Sequence, residues 1–253
     1  MSRPSISVVV ITYNEEHNID DCLQSAHGWA DEIVVVDDES TDRTQTLAQK
    51  YTDKVFVRKM DNEGRHRNWA YAQASTDWVI SLDADERLTD ELKQEIDGVL
   101  NAGTEHSLFN IPRKNYIGNY WLQHGGQYPS AQCRLFKKGA FKYEEVHVHP
   151  RAFKEGTTGN LKGDIIHYSY RDFGHFLQKL NGQTTLEAQK MVQSGRKILF
   201  LKWYWRSVDR FFRYYIGKQG YKDGFYGFMG AVFASLYQTI SYAKYWEMKN
   251  RGK

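Results

Sequence analysis

Cysteine is scarce in this chain. Cys22 and Cys133 are its only two, so at most one bridge can form, and their setting matches no zinc spacing. Reduced thiols in a cytosolic protein are the simpler reading. No Gly-x-Gly-x-x-Gly and no Gly-x-x-x-x-Gly-Lys-Ser/Thr element occurs, which disfavours a dinucleotide fold and a phosphate-loop enzyme. A signal peptide is missing: the first apolar run, Ile6 to Ile11, is too short and reads as a strand. A clean membrane span is missing too. Residues 224–243 carry no charge and reach the nominal spanning length. However, Gly224, Gly227, Gly230, Ser235, Gln238, Thr239 and Ser241 dilute them.

Aromatic residues are abundant, with 7 Trp, 17 Tyr and 13 Phe in 253 residues. That length suits one large α/β domain, or one domain with an appendage, and can bury a substantial core. The net charge of +3 hides an asymmetry. Residues 196–253 hold 12 Lys/Arg against 3 Asp/Glu, whereas the remainder holds 22 against 28. A basic, aromatic tail on an acidic body points to an anionic surface that the tail meets.

The first hundred residues alternate strands and helices. Ile6 to Thr12 is a β-branched strand, and Asn14 can cap a helix from Glu15 to about Ala26. Ile33 to Val36 is a second buried strand ending in Asp37-Asp38, with Ser40 or Thr41 capping a helix to about Tyr51. Val55 to Val57 is a third strand and Arg67 to Ala74 a helix. Trp78 to Leu82 is the fourth strand, running into Asp83-Ala84-Asp85-Glu86, and Glu91 to Leu100 is another helix. Such alternation implies a parallel sheet with right-handed crossovers, which sets every strand-end cluster on one edge. Ligands bind beyond that edge. Thr12-Tyr13-Asn14-Glu15, Asp37-Asp38 and Asp83-Ala84-Asp85 should therefore converge. Two acids with one small residue between them repel unless a cation or substrate hydroxyls fill the gap, and a hard divalent cation suits such oxygens. Taken alone, Asp83-Ala84-Asp85 reads equally well as an acidic helix start.

These stretches resemble family 2 glycosyltransferases with the GT-A fold. The resemblance is carried by Val-Val-Val-Ile-Thr-Tyr-Asn-Glu-Glu, Val-Val-Val-Asp-Asp-Glu-Ser-Thr-Asp and Trp-Val-Ile-Ser-Leu-Asp-Ala-Asp-Glu, in that order. Gly163-Asp164-Ile165-Ile166-His167-Tyr168 and Gly220-Tyr221-Lys222-Asp223-Gly224 are similar to a bacterial subgroup that includes lipopolysaccharide-core and related envelope glycosyltransferases. The resemblance implies a Rossmann-like, mostly parallel α/β sheet flanked by helices, with a C-terminal helical appendage. It implies an inverting transfer from a nucleotide sugar, commonly a UDP-sugar, with Mg or Mn. By position, Thr12, Tyr13 and Glu15 would border the nucleoside, and Asp38 would contact the base or ribose. Asp83 would hold the ribose or a metal-bound water, and Asp85 would ligate the metal. Arg65 and Arg67 are placed to approach the donor, or else form a solvated helix start.

An inverting transfer also needs a general base beside the acceptor hydroxyl. Leu108 to Ile111 and Arg134 to Phe136 read as strands, and Tyr120 and Trp121 suit sugar stacking. Relatives commonly carry Val-His-Glu in the next region, where this chain has Val146-His147-Val148. The aligned acid is absent, so the role shifts to Glu145 or Glu144 or lies elsewhere; Glu145 is the favoured candidate. Strand alternation puts Glu145, His147 and His149 on one face, which is either a cleft wall or a solvated face. His147-x-His149 alone is a weak metal signal, and His167 reads as a satisfied core residue.

Phe173 to about Ser194 has helical spacing. Residues 196–216 interleave cations with large rings, with Arg206, Arg210 and Arg213 at helical spacing. Gly217 to Gly227 reads as a loop and turn. A helix lying at the membrane interface fits this tail; a homo-oligomer or domain interface is the competing reading, and nothing in the first hundred residues supports nucleic-acid binding. The expected division is a donor-binding half (residues 1–105), an acceptor-binding half (residues 106–170) and a helical tail (residues 171–253). The expected partners are a nucleotide-sugar donor, a saccharide or lipid-linked acceptor and the cytoplasmic face of the membrane. Two other classes compete. One is a phosphatase using Asp-x-Asp, although its acids should end the first strand. The other is a membrane-docked nucleotide-sugar-binding protein without transfer activity, which Val148 keeps open.

Overall fold

A computed structural model describes residues 3–145, 151–195 and 199–251. These form two compact units, one from residues up to 113 together with 131–167, the other from residues 114–130 together with those from 168 onward. The chain opens with β1 (Ile6–Thr12), α1 (Ile19–Ala26), β2 (Glu32–Asp37), α2 (Thr44–Ala48), β3 (Val55–Val57), α3 (Glu63–Ala72), β4 (Trp78–Asp83), β5 (Glu86–Leu88) and α4 (Asp90–Asn101). Next come β6 (Leu108–Ile111), β7 (Arg113–Ile117), β8 (Tyr120–Trp121), β9 (Gln132–Lys137), β10 (Phe141–Tyr143), β11 (Ala152–Lys154), β12 (Thr158–Asn160) and β13 (Ile165–Tyr170). The helices α5 (Phe173–Gln193), α6 (Phe200–Phe212) and α7 (Gly224–Asn250) close the chain.

The first unit is built on a seven-stranded sheet in the order β12-β6-β9-β4-β1-β2-β3. Its neighbours run parallel except β9, which is antiparallel to both β4 and β6. This is the mostly parallel α/β sheet expected from the sequence. The central strands are mostly apolar because both faces are covered. Val8 and Val10 of β1 face a core shared with α1, α2 and α4, through Ile19, Leu23, Ala48, Leu92 and Ile96. Val9, Val34 and Val79 face the other core, which Ala70 and Tyr71 of α3 close. Local signals set the helix starts: the side chains of Asn62 and Thr89 accept from Arg65 N (3.0 Å) and Leu92 N (3.2 Å).

Two expected caps serve elsewhere. α1 begins at Ile19, and Asn14 instead sits in the left-handed region at φ 51°. Its side chain accepts from Thr41 N (2.8 Å), and its own N–H donates to Ser40 Oγ (2.8 Å). Asn14, Ser40 and Thr41 thus lace the loop after β1 to the loop after β2, and α2 is one short helix, Thr44–Ala48.

In the second unit α7 packs against both α5 and α6. Phe176 stacks on Phe233 with centroids 4.2 Å apart, and Trp203 on Tyr242 at 4.5 Å. Trp203 also donates its indole N–H to Gln238 O (2.8 Å). The segment expected as a loop and turn, Gly217 to Gly227, is largely helical. A π-helix covers Arg213–Gly217, a 3-10 turn covers Gly220–Asp223, and α7 starts at Gly224. The buried Asp223 carboxylate accepts from His124 N (2.8 Å) and lies 2.9 Å from its Nδ1. Among the described residues, no helix is long and apolar enough to cross a membrane.

Candidate active site

Register places the strand ends level. Thr12 lies opposite Asp37 across β1 and β2, and Ile11 opposite Asp83 across β1 and β4. Asp38 N–H continues the ladder to Thr12 O at 2.9 Å. The three polar clusters therefore emerge side by side. A cleft of about 210 Å³ opens there, lined by Thr12, Tyr13, Glu15, Arg67, Asp83 and Asp85, with Met60 and Ala84. Six of the sequence-derived donor and metal residues share one cavity. Asp38 stands one contact away, its carboxylate accepting Met60 N at 2.5 Å. Asp37, the first acid of that pair, is fully buried and holds Ser40 N (2.8 Å) and Gln45 Nε2 (2.7 Å), a loop-bracing role.

The electrostatics centre on Asp83. Its carboxylate meets Arg134 at 2.6 Å on one oxygen and Arg67 at 3.3 Å on the other. Burial opposes its ionisation, but the charge of Arg134 and then Arg67 wins and holds the Asp83 carboxyl well below its usual range. Burial works against the charge on Arg67 as well, and Asp83 overcomes it. Arg134 bridges onward to Glu86 at 2.7 Å, and Arg113 reaches the same Glu86 oxygen at 3.1 Å. Glu86 is completely buried, and its other oxygen accepts from Asp83 N (3.0 Å). An uncompensated charge in such a place is strongly disfavoured, so this network fixes how Asp83 is presented.

Asp85 has a different neighbour. His167 of β13 puts Nε2 3.5 Å from Asp85 Oδ1. The antiparallel pairing of His167 with Glu86 of β5 brings it there. A carboxylate and an imidazole side by side are donor types that would suit a divalent cation. Among the described residues no group of three or more His, Cys, Asp or Glu side chains gathers to hold a metal. Such an ion would keep positions for water or phosphate oxygens, as Mg²⁺ usually does. The Thr12 hydroxyl is buried in the same cleft wall and has no hydrogen-bond partner among the described residues, a further oxygen for a ligand to use.

The expected base residues lie outside this cleft's lining. Glu145 is exposed and pairs with Arg65 at 3.3 Å. Glu144 sits over the start of α3, its carbonyl so close that a Cβ on Gly64 would meet it at 1.9 Å. His147, Val148 and His149 fall outside the described residues. Arg134, Glu86 and Arg113 are residues that sequence reasoning passed over, and His167, read as a satisfied core residue, instead stands partly exposed beside Asp85. Their signal was present: a histidine inside the subgroup-like Asp164-Ile165-Ile166-His167 stretch, an arginine inside an apolar strand, and a third acid directly after Asp85.

Comparison with known proteins bears on this geometry. The family model described as "Glycosyl transferase family 2" matches residues 7–155. A lipopolysaccharide core biosynthesis glycosyltransferase, LpsC of Rhizobium meliloti (strain 1021), is 29% identical over 249 residues, covering 96% of this chain and 92% of that protein. An uncharacterized glycosyltransferase of Rickettsia typhi is 25% identical, covering 98% and 89%. Among solved structures, glucosyl-3-phosphoglycerate synthase from Mycobacterium tuberculosis with Mg²⁺ and uridine diphosphate is 25% identical over 45% of this chain and 44% of that one, at a TM-score of 0.37. S. aureus TarS 1–349 is 17% identical over 98% and 92%, at 0.46. Neither structural likeness places a residue here.

Proposed function

The chain belongs to glycosyl transferase family 2, and from that premise we propose that it moves a sugar from a UDP-sugar, with inversion and with Mg²⁺ or Mn²⁺, to a lipopolysaccharide-core or lipid-linked saccharide. The observation that carries this reading is the convergence of Thr12, Tyr13, Glu15, Arg67, Asp83 and Asp85 on one cleft at the sheet's ligand-binding edge. The LpsC likeness supports the acceptor class.

In this reading Thr12, Tyr13 and Glu15 border the nucleoside, and Asp38 contacts the base or ribose. Asp83, kept ionised by Arg134 and Arg67, accepts ribose hydroxyls or a metal-bound water. Asp85 and His167 would hold the divalent cation. That cation supplies charge neutralisation for the departing diphosphate, the main electrostatic demand of the reaction. Arg67 adds a fixed positive charge on the same cleft. The acceptor oxygen forms its bond to the anomeric carbon from the face opposite the leaving group, the carbon–phosphate oxygen bond breaks, and nucleoside diphosphate leaves. The hydroxyl proton passes to a carboxylate, assigned to Glu145 with Glu144 as the alternative.

Residues 196–253 are proposed to rest on the membrane surface, and α6 supports that placement. Leu201, Trp205, Phe212 and Ile216 stand exposed at helical spacing, Leu201 at 79%. Lys202, Arg206 and Arg213 flank that stripe. An apolar stripe bordered by cations, with a tryptophan on it, matches a helix lying in an anionic lipid interface.

The test is a donor screen by thermal shift, using UDP-, GDP-, ADP- and CMP-sugars with and without Mn²⁺. Metal-dependent stabilisation by a UDP-sugar is expected. Stabilisation by none of them would remove the nucleotide-sugar assignment.

A further inference from the structure

The larger cleft belongs to the second unit and has no part in the reading above. It has a volume of about 440 Å³, within the range of small-molecule sites. Phe176 and Leu180 of α5 and Phe233 of α7 make its apolar wall. Arg210 of α6 and Lys218 stand at its exposed rim. Among the described residues no Asp or Glu lines it, and neither cation has an acidic partner within 4.0 Å. The side-chain amides of Gln183 and Gln238, also in the lining, make no hydrogen bond among the described residues.

Tyr214 is the group built into this cleft. It is 8% exposed, and among the described residues its hydroxyl lacks a hydrogen bond of standard length. Gln127 is the polar side chain set against it, and burial pushes the hydroxyl up to about 12, so it remains a donor at neutral pH. Three glycines from separate segments make room for the ring. A Cβ on Gly125, Gly220 or Gly230 would lie 2.3, 2.9 or 2.5 Å from Tyr214 atoms. The π-helix over Arg213–Gly217 carries Tyr214 inward and ends next to Lys218. Such local unwinding recurs at functional positions. A buried hydroxyl with only the Gln127 amide against it, two cations without an acidic partner and no acid in the lining among the described residues select an anion. The phenylalanine and leucine wall selects an apolar body attached to it.

We propose that this cleft binds a phosphate monoester carried on an apolar chain, with the phosphate on Arg210 and Lys218, an ester oxygen accepting from Tyr214, and the chain along Phe176, Leu180 and Phe233. A lipid phosphate is the source this favours over a phosphorylated sugar or free phosphate. Among the described residues no acid in the lining can accept a sugar's hydroxyl hydrogens, whereas Phe176, Leu180 and Phe233 offer an apolar wall.

The test is calorimetric titration of the full chain with dodecyl phosphate below its micelle concentration, glucose 6-phosphate and inorganic phosphate. Dodecyl phosphate should bind about tenfold or more tighter than either other probe, a margin that burial of a few methylenes supplies. Arg210→Gln with Lys218→Gln should weaken it about tenfold, the loss of charge-assisted hydrogen bonds. Ala234→Phe, which fills the cleft and leaves the charges, should weaken dodecyl phosphate and spare inorganic phosphate. Circular dichroism and donor-induced thermal shift report folding of each variant. Tighter binding of glucose 6-phosphate, equal binding of all three probes, or no effect of Ala234→Phe in a folded protein would each overturn the proposal.

Discussion

Arg134 on β9 holds the Asp83 carboxylate at 2.6 Å and the Glu86 carboxylate at 2.7 Å with the same guanidinium nitrogen. One cation thus sets the position of two acids at the mouth of β4. Replacing Arg134 with Leu leaves two acids with a partner removed in a largely buried setting. We expect a loss of roughly 3–5 kcal/mol in stability, as for other broken buried pairs. In a chain of this size that lowers Tm by roughly 10 °C. Urea denaturation followed by circular dichroism measures it, and an unchanged midpoint would mean that Arg113 and Arg67 suffice.

Asp85 and His167 should act as a pair on metal. Asp85→Ala is expected to abolish metal-dependent donor turnover, by about a hundredfold or more if it is a direct ligand. His167→Ala should raise the Mn²⁺ concentration needed for half-maximal turnover while leaving more residual rate. Manganese titration of UDP-sugar hydrolysis separates the two. Unchanged metal dependence in both variants would exclude them as ligands.

Glu145→Gln should retain the donor-induced thermal shift and lose transfer by about two to four orders of magnitude, the range for a removed general base. Glu144→Gln should be close to wild type. The reverse ranking would move the base to Glu144, and full activity in both would move it to a residue elsewhere.

Glu32 gives a pH signature away from the cleft. Burial opposes its charge, but the Lys54 ammonium, the Ser7 hydroxyl, and the Ser75 N–H (2.8 Å) and hydroxyl (2.7 Å) bring its pKa down to about 2. The folded value lies below the unfolded one. Its contribution is therefore complete above about pH 5 and is lost as pH falls toward 2. Glu32→Gln should cost up to about 3 kcal/mol at pH 7. The gap from wild type should narrow steadily between about pH 4.5 and 2. Denaturation midpoints across that range would show it; a constant gap would contradict the assignment.

The outward face of α6 predicts lipid binding. Leu201→Glu with Trp205→Glu should release the protein from anionic liposomes, weakening partition about tenfold or more given the apolar area withdrawn. Raised salt should weaken wild-type binding too, through the flanking cations. Co-sedimentation with vesicles reads both effects, and retained binding by the folded double variant would reject this face as the contact.

Much of the donor side was legible in the chain. The β-branched runs announced β1, β2 and β4, and the acids sat directly after them. Parallel connection alone then required Thr12, Asp38 and Asp83 to share an edge. Capping was less legible. Asn14, Ser40 and Thr41 have the right chemistry for helix starts, but the same short side chains bond backbone across loops equally well. Only the approach of the two loops decided between those uses.

By itself the sequence determined the alternation of strands and helices, the edge on which the carboxylates gather, and the basic, aromatic character of the tail, because these depend on periodicity and on residues near in the chain. The tertiary structure decided which charges meet. Arg134 is 51 residues from Asp83 and His167 lies beyond a further strand crossing. Ionic partners at such separations are set by strand register and by the need to pair every buried charge, and neither is written in local sequence.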